Sequence, residues 1–137
     1  MDTDVTAHIR YDYDNNGRKI LTCEYDDPQE KKYREYKYTY DFAGRLAGEA
    51  GSYKVSDGFG GFTRYGDYAK AYAYDYAGNL IHQEVQGDHE AFISTYAYDY
   101  RNRLAQKDEP FVADKMKTTK YQYDKKGNLV QETFTIS

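Results

Sequence analysis

The residues best placed to do chemistry lie near the start of the chain. Asp12 to Gly17, DYDNNG, matches the first half of a calcium loop, D-x-D-x-N-G. In such a loop oxygens at positions one, three and five approach the ion while glycine makes the turn. An ion there would take Asp12, Asp14 and Asn16 as donors. The twelfth position, however, is Cys23, Glu24 comes one residue late, and the flanks alternate like strands. The same Asp-to-Gly turn returns elsewhere in the chain, so the stretch is read as a hairpin turn and no metal is expected.

Other candidates fare no better. His8, His82 and His89 have no ligand spacing and no cysteine pair beside them. The glycines of DGFGGF, Asp57 to Phe62, lack the Lys-Ser/Thr of a phosphate-binding loop and are not followed by a helix start. Ser52, Ser56, Ser94 and Ser137 stand in no nucleophile elbow. The carboxylate pairs Asp26/Asp27 and Asp108/Glu109 sit where turns are expected in a chain rich in acids. No catalytic residue, no cofactor and no enzyme activity is expected.

What must position these residues is a scaffold built on tyrosine. The chain has 137 residues, enough for one ordinary domain, and its 18 tyrosines outnumber the 15 leucines, isoleucines and valines taken together. Tyrosine buries a large ring but needs a partner or water for its hydroxyl, which suits a thin sheet with one face or edge wet. The net charge of −4 argues against nucleic acid, and no apolar run approaches a membrane span or the core of a signal peptide. Residues 1–30 carry eight acids against three bases, whereas residues 111–127 carry five lysines against two aspartates. A lone Cys23 excludes an intrachain disulfide and reads as a small half-buried side chain.

Self-similarity is the strongest signal. Five copies align on one turn: YDYDNNGRKI from Tyr11, YTYDFAGRL from Tyr38, YAYDYAGNL from Tyr72, YAYDYRNRL from Tyr96 and YQYDKKGNL from Tyr121. Tyrosines two apart share one face of a strand, the aspartate accepts backbone amides, and Gly or Asn supplies positive φ for a type I turn with a G1 bulge. The turn residues are therefore Asp14 and Gly17, Asp41 and Gly44, Asp75 and Gly78, Asp99 and Asn102, and Asp124 and Gly127. The aspartates lie 27, 34, 24 and 25 residues apart, and about 25 residues hold two strands and two turns. Second turns are expected near residues 26–32, 87–90 and 108–110, where Gly, Pro or charge breaks the alternation. The long interval contains a glycine-rich insertion, about 47–68, read as an extra short hairpin or a mobile loop. The expected fold is all-β: eight to eleven strands in consecutive antiparallel hairpins, a meander forming a single curved or partly closed sheet, with one domain over residues 1–137.

The five copies of Y-x-Y-D-x-x-G-[NR]-L resemble the YD repeat, or Rhs repeat, of Rhs and wall-associated proteins, toxin-complex C components and teneurins, from about Tyr11 to Val130. The resemblance implies a ribbon of hairpins that in long members spirals into a shell around a toxin or other cargo. Five copies are fewer than such a shell uses. The DPxG-type core associated with self-cleavage is also missing, since Asp27-Pro28 continues as Gln29-Glu30, so no protease activity is carried over.

Three functions follow as expectations. The first is a non-enzymatic structural or interaction module, a short relative or fragment of a secreted or surface Rhs-type protein, joining a protein partner or itself through its sheet edges. The second is carbohydrate binding on a platform of exposed tyrosines, Tyr72, Tyr74, Tyr76, Tyr96, Tyr98 and Tyr100. The third is a small partner or immunity-like protein of a YD-repeat toxin. Tyr36/Tyr38/Tyr40, Tyr72/Tyr74/Tyr76, Tyr96/Tyr98/Tyr100 and Tyr121/Tyr123 are also expected to stack as cross-strand rows, and the basic stretch Lys115 to Lys126 to form a solvated strand edge. The chain is placed outside the cell or on its surface if it belongs to a larger exported protein, and in the cytoplasm if it is complete as it stands.

Overall fold

The computed structural model describes residues 7–26, 28–88 and 90–137. The described residues form ten strands and no helix: β1 (His8–Tyr13), β2 (Lys19–Tyr25), β3 (Lys32–Tyr40), β4 (Leu46–Ser56), β5 (Phe62–Tyr74), β6 (Leu80–Gly87), β7 (Ala91–Tyr98), β8 (Leu104–Pro110), β9 (Met116–Tyr123) and β10 (Leu129–Ile136). Each is hydrogen-bonded to the next in sequence order, so the fold is a ten-stranded antiparallel meander with β1 and β10 as terminal strands. The sheet does not close on itself.

Alternation dictates this outcome. In β3, KYREYKYTY, the even-numbered residues from Arg34 to Tyr40 share one face and the odd-numbered ones from Tyr33 to Thr39 the other. Each strand then ends at a residue that cannot extend the ladder without a turn. Four of the described hairpins show the same one-residue shift beside the motif, at Asp12/Tyr13, Thr39/Tyr40, Ala97/Tyr98 and Leu129/Gln131. That shift is the bulge that an aspartate turn closed by Gly or Asn produces.

The strands fall into two compact units. The first contains β1 to β4, most of β5 and the end of β6; the second contains the rest of β5 and β6 with β7 to β10. In the first, β3 pairs with β2 from Leu21↔Lys37 to Tyr25↔Tyr33, and with β4 from Lys32↔Val55 to Tyr40↔Leu46. One face carries rings in close succession, His8 to Tyr25 at 4.8 Å, Tyr25 to Tyr33 at 5.0 Å and Tyr33 to Phe62 at 5.6 Å between centroids. Beneath that layer Cys23 is buried, and desolvation pushes its thiol pKa up. Burial likewise pushes Tyr25 up to about 12. On the opposite face the Tyr68 ring fills the space above Gly51, where any β-carbon would collide with it.

In the second unit β9 lies between β8 and β10, with Gln106↔Lys120 on one side and Thr133↔Lys120 on the other. The lysine-rich stretch is thus an inner strand and its turn, not the strand edge the sequence suggested. A strand keeps lysines in such a position when their charged heads find neighbouring rings, as Lys117 Nζ does 4.6 Å from the Phe134 centroid. The edge is β10, exposed along all eight residues.

Two further expectations are corrected. The insertion at 47–68 is neither an extra hairpin nor a mobile loop; it lengthens one hairpin, β4 and β5, to 11 and 13 residues. The third alternate turn falls at residues 111–115 rather than 108–110, because Pro110 closes β8 and Phe111 N bonds Lys115 O at 2.8 Å across the loop. Among the described residues only Cys23 and Val85 are buried hydrophobics, so this is a sheet without a thick core.

Candidate functional site

The five motif turns are built alike. In each, the aspartate amide donates to the carbonyl four residues on, as Asp99 N does to Arg103 O at 2.9 Å, and the amide of the Gly or Asn returns to the aspartate carbonyl. One carboxylate oxygen accepts two further amides: for Asp41 they are Ala43 N at 3.0 Å and Arg45 N at 2.9 Å. The other oxygen accepts the side chain of the residue four on, Arg18, Arg45, Asn79, Arg103 or Asn128. The fold therefore places Asp14, Gly17, Asp41, Gly44, Asp75, Gly78, Asp99, Asn102, Asp124 and Gly127 in turns. The fourth residue of the turn has φ between 62° at Asn102 and 90° at Gly78 and Gly127, the left-handed region.

These bonds hold the carboxylates charged. The amide of Arg18 is the main cause for Asp14, that of Arg45 for Asp41, of Asn79 for Asp75 and of Asn128 for Asp124, each lowering the pKa below 3.8. At Asp99 desolvation opposes the shift most strongly, and the Arg103 amide and its neighbours overcome it. Asp14, with both oxygens engaged, is a turn acceptor, while Asp12 lies in β1 opposite Leu21. Among the described residues no three His, Cys, Asp or Glu side chains gather in a way that would hold a metal.

Three pairs of consecutive motifs are locked together by the tyrosine preceding the second aspartate. Tyr40 Oη donates to Lys19 O at 2.7 Å, Tyr98 Oη to Leu80 O at 2.8 Å and Tyr123 Oη to Leu104 O at 2.7 Å. Each acceptor is the residue five after the aspartate of the preceding motif. The guanidinium before that acceptor packs on the same ring: Arg18 lies 5.4 Å from the Tyr40 centroid and Arg103 4.4 Å from that of Tyr123. The motif tyrosines of these three pairs are thus held by hydroxyl and cation contacts. The ring–ring contacts in the first unit join mainly tyrosines outside the motifs, including Tyr36 to Tyr68 at 6.5 Å and Tyr53 to Tyr65 at 5.0 Å.

The six proposed platform residues divide. Tyr72 and Tyr74 on β5 and Tyr96 and Tyr98 on β7 are half-buried. Tyr76 and Tyr100 leave the strands and project from the turns just after Asp75 and Asp99, at 112% and 86% exposure. A side-chain bond from Asn79 Nδ2 to Asn102 Oδ1, 3.0 Å long, ties those two turns together.

The remaining candidates are engaged locally. His8 stacks on Tyr25 and bonds Glu30 at 3.0 Å, and His82 lies 3.8 Å from Glu84. Asp26 accepts the Tyr53 hydroxyl at 2.9 Å. Asp108 is bound by Thr118, which is the main cause of its lowered pKa, and by Gln106, while Glu109 pairs with Lys107 at 2.8 Å. His89 and Asp27 lie outside the described residues.

Two features add to the motif turns, the first at the glycines of Asp57 to Phe62, which turn chemistry or an exposed loop already explained in the sequence. Asp57 makes a sixth turn of the same kind, with Phe59 N at 2.7 Å and Gly61 N at 3.1 Å on one carboxylate oxygen and Gly60 at φ 88°. Its signal, D-x-x-G, was present without the tyrosines. The second is an open cleft of about 490 Å³ in the first unit, lined by Arg34, Tyr36, Ser52, Tyr53, Tyr65, Gly66 and Tyr68. Two of its phenols have raised pKa values, Tyr53 chiefly through the bond to Asp26 and Tyr68 through burial and then Glu49.

No protein-family model matches the chain, and no curated protein is similar to it. Among the described residues no helix is long and apolar enough to cross a membrane.

Proposed function

We propose that the chain is a non-enzymatic structural and interaction module built of YD repeats, which works by pairing its sheet with another protein. The observation that carries this reading is β10: an eight-residue terminal strand, exposed at every position, on a sheet with only two buried hydrophobic side chains among the described residues. Such an edge presents unpaired backbone groups and apolar side chains, Val130 and Phe134 each at 60% exposure, as a template for another strand. The repeated turns support the same reading, because every carboxylate that could do acid–base work in them is consumed by backbone amides.

The test is an edge-blocked variant. Val130→Lys with Phe134→Lys should keep the circular dichroism of the native sheet and abolish association, with itself or with a captured protein. Association unchanged in that variant would count against the reading.

A second reading rests on the tyrosine-lined cleft. Flat phenol faces and their hydroxyls, beside Arg34 and Ser52, suit a sugar ring. Saturable glycan binding that disappears in Tyr65→Ala, a half-exposed ring at the cleft, supports it; a flat glycan-array response removes it.

A further inference from the structure

The lock between motifs has a donor and an acceptor, and each end of the sheet has only half of it. Tyr40, Tyr98 and Tyr123 each donate to the carbonyl of the preceding motif. In the first motif the equivalent donor is Tyr13, 56% exposed, whose hydroxyl has no partner among the described residues. In the last motif the equivalent acceptor is the carbonyl of Leu129, a residue 50% exposed on the edge strand. Donor and acceptor are thus both present in one chain, on opposite terminal strands.

We propose that β1 of one copy pairs antiparallel with β10 of a second copy, its Tyr13 hydroxyl donating to the Leu129 carbonyl, so that copies add head to tail. This rests on the interaction-module reading and names the partner as the chain itself. The register follows from the joints already present. Leu21↔Lys37 and Gln106↔Lys120 both set the seventh residue after one motif aspartate against the fourth before the next. Carried to the open ends, that rule sets Gln131 opposite Arg10, Glu132 opposite Ile9 and Thr133 opposite His8. Pairing would remove from water the side chains of Ile9, Tyr11 and Tyr13 on β1 and of Leu129, Val130 and Phe134 on β10, all exposed in the single chain. Because the two joined surfaces differ, the association is heterologous, and successive copies can continue it.

The lysines of residues 111–127 play no direct part. They lie on β9, its turn and the loop before it, one strand in from the edge, and the only charged side chain on β10 is Glu132. Charge asymmetry between the chain ends is therefore not the driving contact; strand pairing and the tyrosine lock are.

Sedimentation velocity over a hundredfold range of concentration should show mass rising with concentration. Tyr13→Phe should weaken association about fivefold, the worth of one net hydrogen bond. It should leave unfolding of the single chain unchanged, since that hydroxyl is unpartnered there. Register is read separately by disulfide capture in a Cys23→Ala background. Arg10→Cys mixed with Gln131→Cys should cross-link under mild oxidation, whereas Arg10→Cys with Thr135→Cys, about 13 Å out of register, should not. A concentration-independent monomer, a Tyr13→Phe variant that associates like the parent, or equal capture at residues 131 and 135 overturns the proposal. If the edge-blocked variant still loses a different protein partner, the module reading survives that failure.

Discussion

At the scale of single residues, the turn aspartate, the turn glycine and the locking tyrosine carry separable loads. Tyr98→Phe keeps the ring and removes only the donor to Leu80 O, so it should lower the unfolding free energy by about 1 kcal/mol in urea. Tyr11→Phe, which removes a hydroxyl outside this set of bonds, is the matched control. Gly44→Ala should cost more, about 1–2 kcal/mol, because φ is +85° and the added β-carbon would press on Arg18 Nη1 at 3.3 Å. Asn102, at φ 62°, shows that the position tolerates the residue type that best adopts left-handed backbone after glycine. Both the aspartate and the Gly/Asn alternation were legible in the sequence, because a turn is made of neighbours. The Tyr98 bond was not, since its acceptor is 18 residues away and is a backbone atom with no sequence identity.

At the scale of elements, hairpin tips should be the acid-sensitive parts. The motif aspartates have lowered pKa values when folded, so their contribution is full above the ordinary value of 3.8 and is lost as pH falls through the lower folded values. The expected outcome is a urea midpoint that is flat from neutrality to about pH 5 and drops steeply below pH 4. Replacing Asp99 and Asp124 with Asn should flatten that drop; a profile unchanged by the replacements would show that the turns do not set it. The hairpin of β4 and β5 illustrates where element reading failed. Its glycines suggested mobility, yet Asp57 rebuilds the turn chemistry and Gly51 admits the Tyr68 ring, so both strands run on unbroken.

At the scale of the molecule, the distinguishing property is how little is buried. Val85, 1% exposed, is one of two buried hydrophobic residues among those described. Val85→Ala removes two methylene equivalents and should cost about 2 kcal/mol, measurable as a lowered melting temperature. A sheet this thin gains from anything that binds the folded chain alone, so its melting temperature should rise with its own concentration if copies pair. Edge-blocked Val130→Lys/Phe134→Lys should melt at a temperature independent of concentration.

The local rules were written in the order of residues: alternation of tyrosine with polar residues made strands, and Asp followed three residues later by Gly or Asn made the turns between them. Those rules depend on residues within one or two turns of the chain, where spacing and chemistry suffice. Folding in three dimensions was needed to show that Tyr76 and Tyr100 project from tips while Tyr72, Tyr74, Tyr96 and Tyr98 lie half-buried, and that the lysines of β9 are interior to the sheet. It alone gathered Tyr36, Tyr53, Tyr65 and Tyr68 around one cleft. The reason is physical: a bulge of one residue shifts what lies beyond it, and which strand is an edge depends on what pairs with it.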